Sequence, residues 1–170
     1  IAGQIAMPFM MRSGQASHIS MTLIQPRGQV STDARELEVV YQWLSDMERT
    51  PSLPTGSFLP HESYPLAQVI ETSEEGWLNI TDLSQDLGEL EVLRDVLEQN
   101  DATSVAVTAM RSRRNWYGVI ILRTNNPDLL TNSYMRFMSS VSDQVAIVLE
   151  RQRLLTEAET ERANLNSILS

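Results

Sequence analysis

Trp77, Asn79 and Thr81 recur at every second position of the stretch WLNIT. In a strand, alternate side chains point to one face, so these three would line up together. A tryptophan beside an amide can stack on a planar molecule and hydrogen-bond its edge. The competing reading of Trp77 is an aromatic plug that closes the sheet. Ser20 and Thr22 form a second group, in HISMTLIQ (residues 18–25). They share a face with His18 and Ile24, while Ile19, Met21 and Leu23 take the other and read as core. Local hydrogen bonding of the two hydroxyls is the preferred reading, and a pocket lining is the alternative. Ser20, Thr22, Trp77, Asn79 and Thr81 are therefore the candidate ligand-pocket residues.

Other chemistry-bearing groups are weaker candidates. Arg111, Arg113 and Arg114 could hold a phosphate or carboxylate bidentately, but three solvated charges on a hairpin tip is the preferred reading. Asp82, Asp86, Glu89 and Glu91 lack the spacing of a calcium loop, so helix capping and solvation are expected of them, and no metal. His61 lies in a proline-rich stretch with no Ser or Asp constellation to make it a catalytic base. The chain contains no Cys, which removes thiolate catalysis, disulfides and thioether attachment of a chromophore. It contains no Lys either: all 13 basic residues are Arg. A P-loop lysine, a Schiff base and a lysine general base are thereby excluded. No catalytic residue and no cofactor is expected.

Composition narrows the partners. The chain has 170 residues with a formal net charge of -9. That charge argues against a nucleic-acid interface, which needs clustered positive side chains. No stretch reaches the roughly 20 apolar residues of a membrane span, so no membrane insertion is expected of this segment. Hydrophobic residues make up 42%, enough for a real core. The chain opens without Met and ends in a helical pattern, as a segment of a longer, cytoplasmic protein would.

The elements that must position these residues follow from periodicity and punctuation. Ile1–Met11 reads as a short or kinked helix. Residues 18–25 and 37–44 (LEVVYQWL) read as antiparallel strands across the Pro26-Arg27-Gly28 turn. Residues 48–63, with three prolines and a glycine, read as an ordered loop without regular structure. Pro65–Thr72 reads as a short helix with proline in its first turn. A short strand, 77–81, and a polar loop, 82–88, come next. Residues 89–99 form an amphipathic stretch with Leu90, Leu93 and Leu97 on one side. Strands 103–110 and 116–123 make a hairpin around residues 111–115. Thr131–Ser170 reads as one long helix, capped by Thr131 or Asn132 and free of Gly and Pro. The class is α+β, with helices covering an antiparallel sheet.

In this order the segments resemble a GAF domain over roughly residues 1–155. FLPHESYPLAQVIETSEEGWLNITDL resembles the middle of that family, a loop and short helix beginning near Pro65-Leu66 and a strand ending in Asp82. SVAVTAMRSRRNWYGVIILR resembles its last two strands, with Gly118 in a Gly-Val-hydrophobic pattern. NNPDLLTNSYMRFMSSVSDQVAIVLERQRLL resembles its closing helix, with Gln144-Val145-Ala146. The resemblance implies a twisted antiparallel sheet of five or six strands. It places the terminal helices on one face and a pocket under loops and short helices on the other. A PAS domain is the runner-up, although PAS domains do not usually end in a strand pair and so long a helix. GAF domains act as sensory or regulatory modules. Those that attach tetrapyrroles by a Cys, the reductases with a Cys nucleophile and the cyclic-nucleotide binders with a Lys-containing motif all need residues absent here.

The long helix carries the functional expectation. Its first half is apolar enough to pack on a core, and its second half is mostly polar. Leu154, Ala158, Glu161, Leu165 and Ile168 fall at alternating four- and three-residue steps, an a/d seam with one polar interruption. The expected division is a sensory domain over 1–152 and a helical connector over 153–170. The expected function is a signal-sensing module of a sensor histidine kinase. It would be a homodimer through its terminal helices, with a small-molecule ligand of unidentified kind. The alternative is a ligand-free dimerisation or protein-interaction domain.

Overall fold

A computed structural model of the chain describes residues 19–27, 36–45, 54–60, 70, 73–94, 101–112 and 115–170. The expected helices Ile1–Met11 and Pro65–Thr72 lie outside these residues, Ile70 excepted, as do His18, His61, Arg113 and Arg114. Six strands are described: β1 (Ile19–Pro26), β2 (Glu36–Leu44), β3 (Phe58–Pro60), β4 (Trp77–Ile80), β5 (Ser104–Ser112) and β6 (Asn115–Thr124). They form one sheet in the order β3-β2-β1-β6-β5-β4, and every pairing is antiparallel. The long helix, α1, runs from Asn132 to Leu169. This is the α+β architecture expected from the sequence.

β5 and β6 are neighbouring interior strands of the sheet, and both read as almost unbroken apolar runs. Such runs suit strands covered on both faces. From Ser104 to Met110 and from Trp116 to Thr124 every side chain is buried. Gly118 marks where β6 presses on β1. Its φ is +123°, and a Cβ there would stand 1.9 Å from the carbonyl oxygen of Ile24. Only glycine fits both the conformation and the approach.

The sheet therefore has two cores. One lies under α1 and holds Met21, Ala106, Met110, Tyr117, Ile120 and Leu122 against Met135, Met138 and Ala146 of the helix. The other lies on the far face and includes Ile24, Leu37, Val39, Ile70, Val105, Val107, Val119 and Ile121. Ile19 and Leu23 pack with Met21 on the α1 side, as strand alternation predicts.

Two local expectations are corrected. Residues 58–60, expected in an irregular loop, form β3, with Leu59 opposite Leu37 of β2. A three-residue edge strand tolerates Pro60 because an edge residue need not donate to a second neighbour. β2 is consequently not the edge along its first residues. Tyr41 of β2 packs against the α1-side core. In the amphipathic stretch, residues 88–93 are wound as a 3-10 helix. Asp86 accepts from the Gly88 backbone N–H at 2.9 Å and Glu91 from that of Leu87 at 3.3 Å. These two carboxylates therefore cap the turn. Asp82 does likewise for Ser84, whose backbone N–H and hydroxyl donate to it, and Gln85 adds a third donor. Those hydrogen bonds hold the Asp82 carboxyl below the usual carboxylate range.

Candidate functional site

The five candidate pocket residues do not gather in one place. Trp77 packs in the core under α1. Asn79, two residues on and on the same face, donates its Nδ2 to the Leu130 carbonyl at 2.8 Å, so it ties β4 to the chain just before α1. Thr81 lies beyond the end of β4 and is exposed, and its carbonyl accepts from Ser104 Oγ at 2.7 Å. Trp77 and Asn79 thus serve the helix-side layer. Ser20 and Thr22 lie on the opposite face, between Arg123 on one side and β2 on the other.

That opposite face holds residues whose importance the residue types only partly signalled. Thr22 is directly opposite Gln42 of β2, and Ser20 is directly opposite Arg123 of β6. Arg123 is only 1% exposed, and its Nη1 donates to Thr22 Oγ1 at 3.0 Å. An arginine within the apolar run GVIILR is itself a signal, because charged side chains are almost never fully buried without a purpose. Gln42 gave no such signal, lying between two aromatic residues. β1 and β2 lose register between Leu23 and Ile24, which leaves Val40 as an extra residue on β2. The bulge brings Gln42 onto the face of Val39 rather than that of Glu38.

α1 is held on the sheet by both apolar and polar contacts. Met135, Met138, Ser142 and Ala146 form its buried stripe. Ser142 Oγ and Thr108 Oγ1 are 2.6 Å apart and fully enclosed between helix and sheet. Farther along, Ser112 Oγ donates to Glu150 Oε2 at 2.6 Å, and Asn115 Nδ2 reaches Glu150 Oε1 at 3.4 Å. Arg153 closes the series, with Nε donating to the Tyr117 hydroxyl at 3.4 Å and Nη1 to Glu157 at 2.6 Å. From Leu154 onward every residue is exposed, including Leu154, Leu155, Leu165, Ile168 and Leu169. A groove of about 420 Å³ also opens between β1, β6 and α1, lined by Met21, Leu23, Ile120, Val141, Val145 and Val148 among others.

Thr131 caps α1 by accepting from the Tyr134 backbone N–H at 3.2 Å. Tyr134 is largely enclosed, and burial pushes its phenol up to about 12. Among the described residues no three His, Asp or Glu side chains gather as metal ligands. No helix among them is long and apolar enough to cross a membrane.

No family model matches the chain, and no curated protein matches it either. Solved structures do. The GAF domain of a two-component sensor histidine kinase from Bacillus halodurans superposes with a TM-score of 0.60 at 16% identity, over 92% of this chain and 98% of that one. A GAF domain/HD domain protein from Geobacter sulfurreducens gives 0.61 at 15% identity, over 90% and 92%. The phycocyanobilin-bound GAF domain of a cyanobacterial phytochrome gives 0.61 at 14% identity, over 79% and 76%. With the six-stranded sheet and its closing helix, these superpositions establish that the chain has the fold of a GAF domain.

Proposed function

We propose that this chain is a signal-sensing module of a multidomain signalling protein, of the sensor histidine kinase kind. In this reading α1 carries the state of the sheet to a following domain. The observation that carries the proposal is the helix itself. It is continuous for 38 residues, packed on the sheet up to Arg153 and exposed from Leu154 onward. At 1.5 Å per residue it spans about 57 Å. Its outer part gains nothing from the domain's own core, and a mostly polar helix gains little stability from propensity alone. Leu154, Ala158, Leu165 and Ile168 give that part an apolar seam suited to a second copy of the same helix. In this reading the sensory domain covers residues 1–152 and the connector 153–170, beginning at Arg153, whose Nε reaches the Tyr117 hydroxyl.

The dimer would form through α1 and residues 1–11. A change in sheet–helix packing would then alter the angle or register of the paired helices, a two-state element that a downstream domain can read. A kinase output needs nucleotide, so the cytoplasm is the compartment this reading requires. The phytochrome relative is named for its bound phycocyanobilin. Thioether attachment of such a chromophore needs a thiol, which these 170 residues do not supply. The alternative, a ligand-free dimerisation domain, fits a far face filled by apolar side chains. The buried polar cluster around Arg123 favours the sensor instead.

Inserting one residue after Arg153 in the parent protein tests the coupling, because it rotates everything beyond by about 100°. Output should change while this domain stays folded. Unchanged signalling would refute the proposal.

A further inference from the structure

Every large apolar side chain that α1 leaves exposed falls in one of three columns of seven-residue spacing. Ile147, Leu154 and Ile168 form the first, and Glu161 takes its remaining place. Val148, Leu155 and Leu169 form the second, and Arg162 takes its remaining place. Phe137 and Leu165 share the third with Gln144, Arg151 and Ala158. At 3.5 residues per turn one step is about 103°, which sets the third column midway between the other two. The buried stripe of Met135, Met138, Ser142 and Ala146 takes the opposite side of the helix. The sheet therefore grips α1 from behind, and the apolar columns face outward.

Three columns are one more than a coiled-coil seam uses. The first and third make one seam, at alternating four- and three-residue steps, and the second and third make another. The two seams share Ala158 and Leu165. Each has one charge at a core position, Glu161 in the first and Arg162 in the second, so neither prevails through apolar burial alone. Each also offers a charge match to a parallel second copy. In the first seam, Glu157 of one copy faces Arg162 of the other, five residues on. Arg153 holds Oε1 of Glu157, and this exposed carboxylate has a second oxygen. In the second seam, Arg162 enters the core beside Glu161 of the other copy.

We infer that the outer face of α1 pairs in parallel with a second copy of itself in two alternative registers, exchanged by turning each helix about 50°. Leu154 and Glu161 lie in the core of one register, and Leu155 and Arg162 in the core of the other. This device rests on the sensory reading and supplies its moving part. A turn of α1 on the sheet becomes a choice of register, which a following domain reads.

The test is disulfide trapping in the purified 170-residue chain, which has no Cys of its own. A disulfide needs Cα atoms about 4.4–6.8 Å apart, which core positions of a parallel pair meet and outward positions do not. Under mild oxidation with diamide, Leu154→Cys should trap the first register and Leu155→Cys the second. Thr156→Cys, on the far side of the helix from the columns, is the control. Both core variants should give covalent dimers faster than this control, read on non-reducing gels. Adding Glu161→Leu should speed trapping at position 154 and slow it at 155, roughly tenfold each, as burying leucine in place of charge tips the balance. Adding Arg162→Leu should do the reverse. Two results would overturn the inference: trapping no faster than in Thr156→Cys, or rates at 154 and 155 that do not move in opposite directions. If either is found while the insertion after Arg153 still changes output, the sensory reading stands and only the two registers fall. Trapping as expected beside unchanged output would sink the sensory reading and leave a dimer surface with two registers.

Discussion

The contact between Thr108 and Ser142 sets how α1 sits on the sheet, and a double-mutant cycle should expose it. Apolar packing under the helix is non-directional, so it resists separation more than rotation. The hydroxyl pair is directional, 2.6 Å long, with Thr108 1% and Ser142 0% exposed. Removing one hydroxyl strands the other in the interior, at a cost of about 1–3 kcal/mol. The two sides differ. In Thr108→Val, Ser142 can turn to the carbonyl one helical turn back, that of Met138, so the loss lies near the bottom of the range, about 1 kcal/mol. In Ser142→Ala, Thr108 sits in a strand paired on both sides, opposite Trp77 and Ile120, and has no such recourse. Its loss should be about 2 kcal/mol. The double variant removes both polar groups and forfeits only the net worth of the bond, about 1 kcal/mol. The singles sum to about 3 kcal/mol, so the coupling energy is about 2 kcal/mol, within the range for contacting residues. Urea denaturation of the four proteins, followed by circular dichroism, measures it. Losses additive to within about 0.5 kcal/mol would show that the hydroxyls do not act as a pair. The rotation of α1 would then be set by shape alone.

Two further outcomes follow from single positions. Gly118→Ala should destabilise the fold by about 2–5 kcal/mol in the same assay, from positive-φ strain together with overpacking against the Ile24 backbone. A loss under about 1 kcal/mol would mean that β1 and β6 can move apart at little cost. The Tyr134 phenol should titrate at about 12 in ultraviolet absorbance, two pH units above its ordinary 10.0. The folded chain then keeps this proton above pH 10, where the unfolded chain has begun to release it. The associated stability, on the order of 2–3 kcal/mol, is whole below pH 10 and is lost as pH rises through about 12. A phenol titrating near 10 would contradict the burial.

Most of the fold was legible because its elements have strong periods. β5 and β6 read as strands from their apolar, β-branched runs, and α1 from 38 residues without Gly or Pro. The site was less legible, for a reason visible at Trp77 and Gln42. Alternation separates a strand's two faces but does not say which face meets which layer. In a sheet with a core on each side, polarity cannot decide between them. Residue type therefore groups Trp77 and Asn79 with Ser20 and Thr22, although the sheet separates the two pairs. Gln42 fails for a second reason. Strict alternation along β2 sets Leu37, Val39, Tyr41 and Trp43 on one face, and Gln42 on the other with Glu38. The extra residue at Val40 reverses the phase, so Tyr41 turns to α1 while Gln42 joins Val39 and faces the Arg123 side. No residue in EVVYQ is a Gly or Pro that would announce a bulge. The polar cluster around Arg123 thus depends on a one-residue irregularity that strand pairing creates and residue types do not mark. With β2 in regular register, Gln42 would not lie beside Thr22.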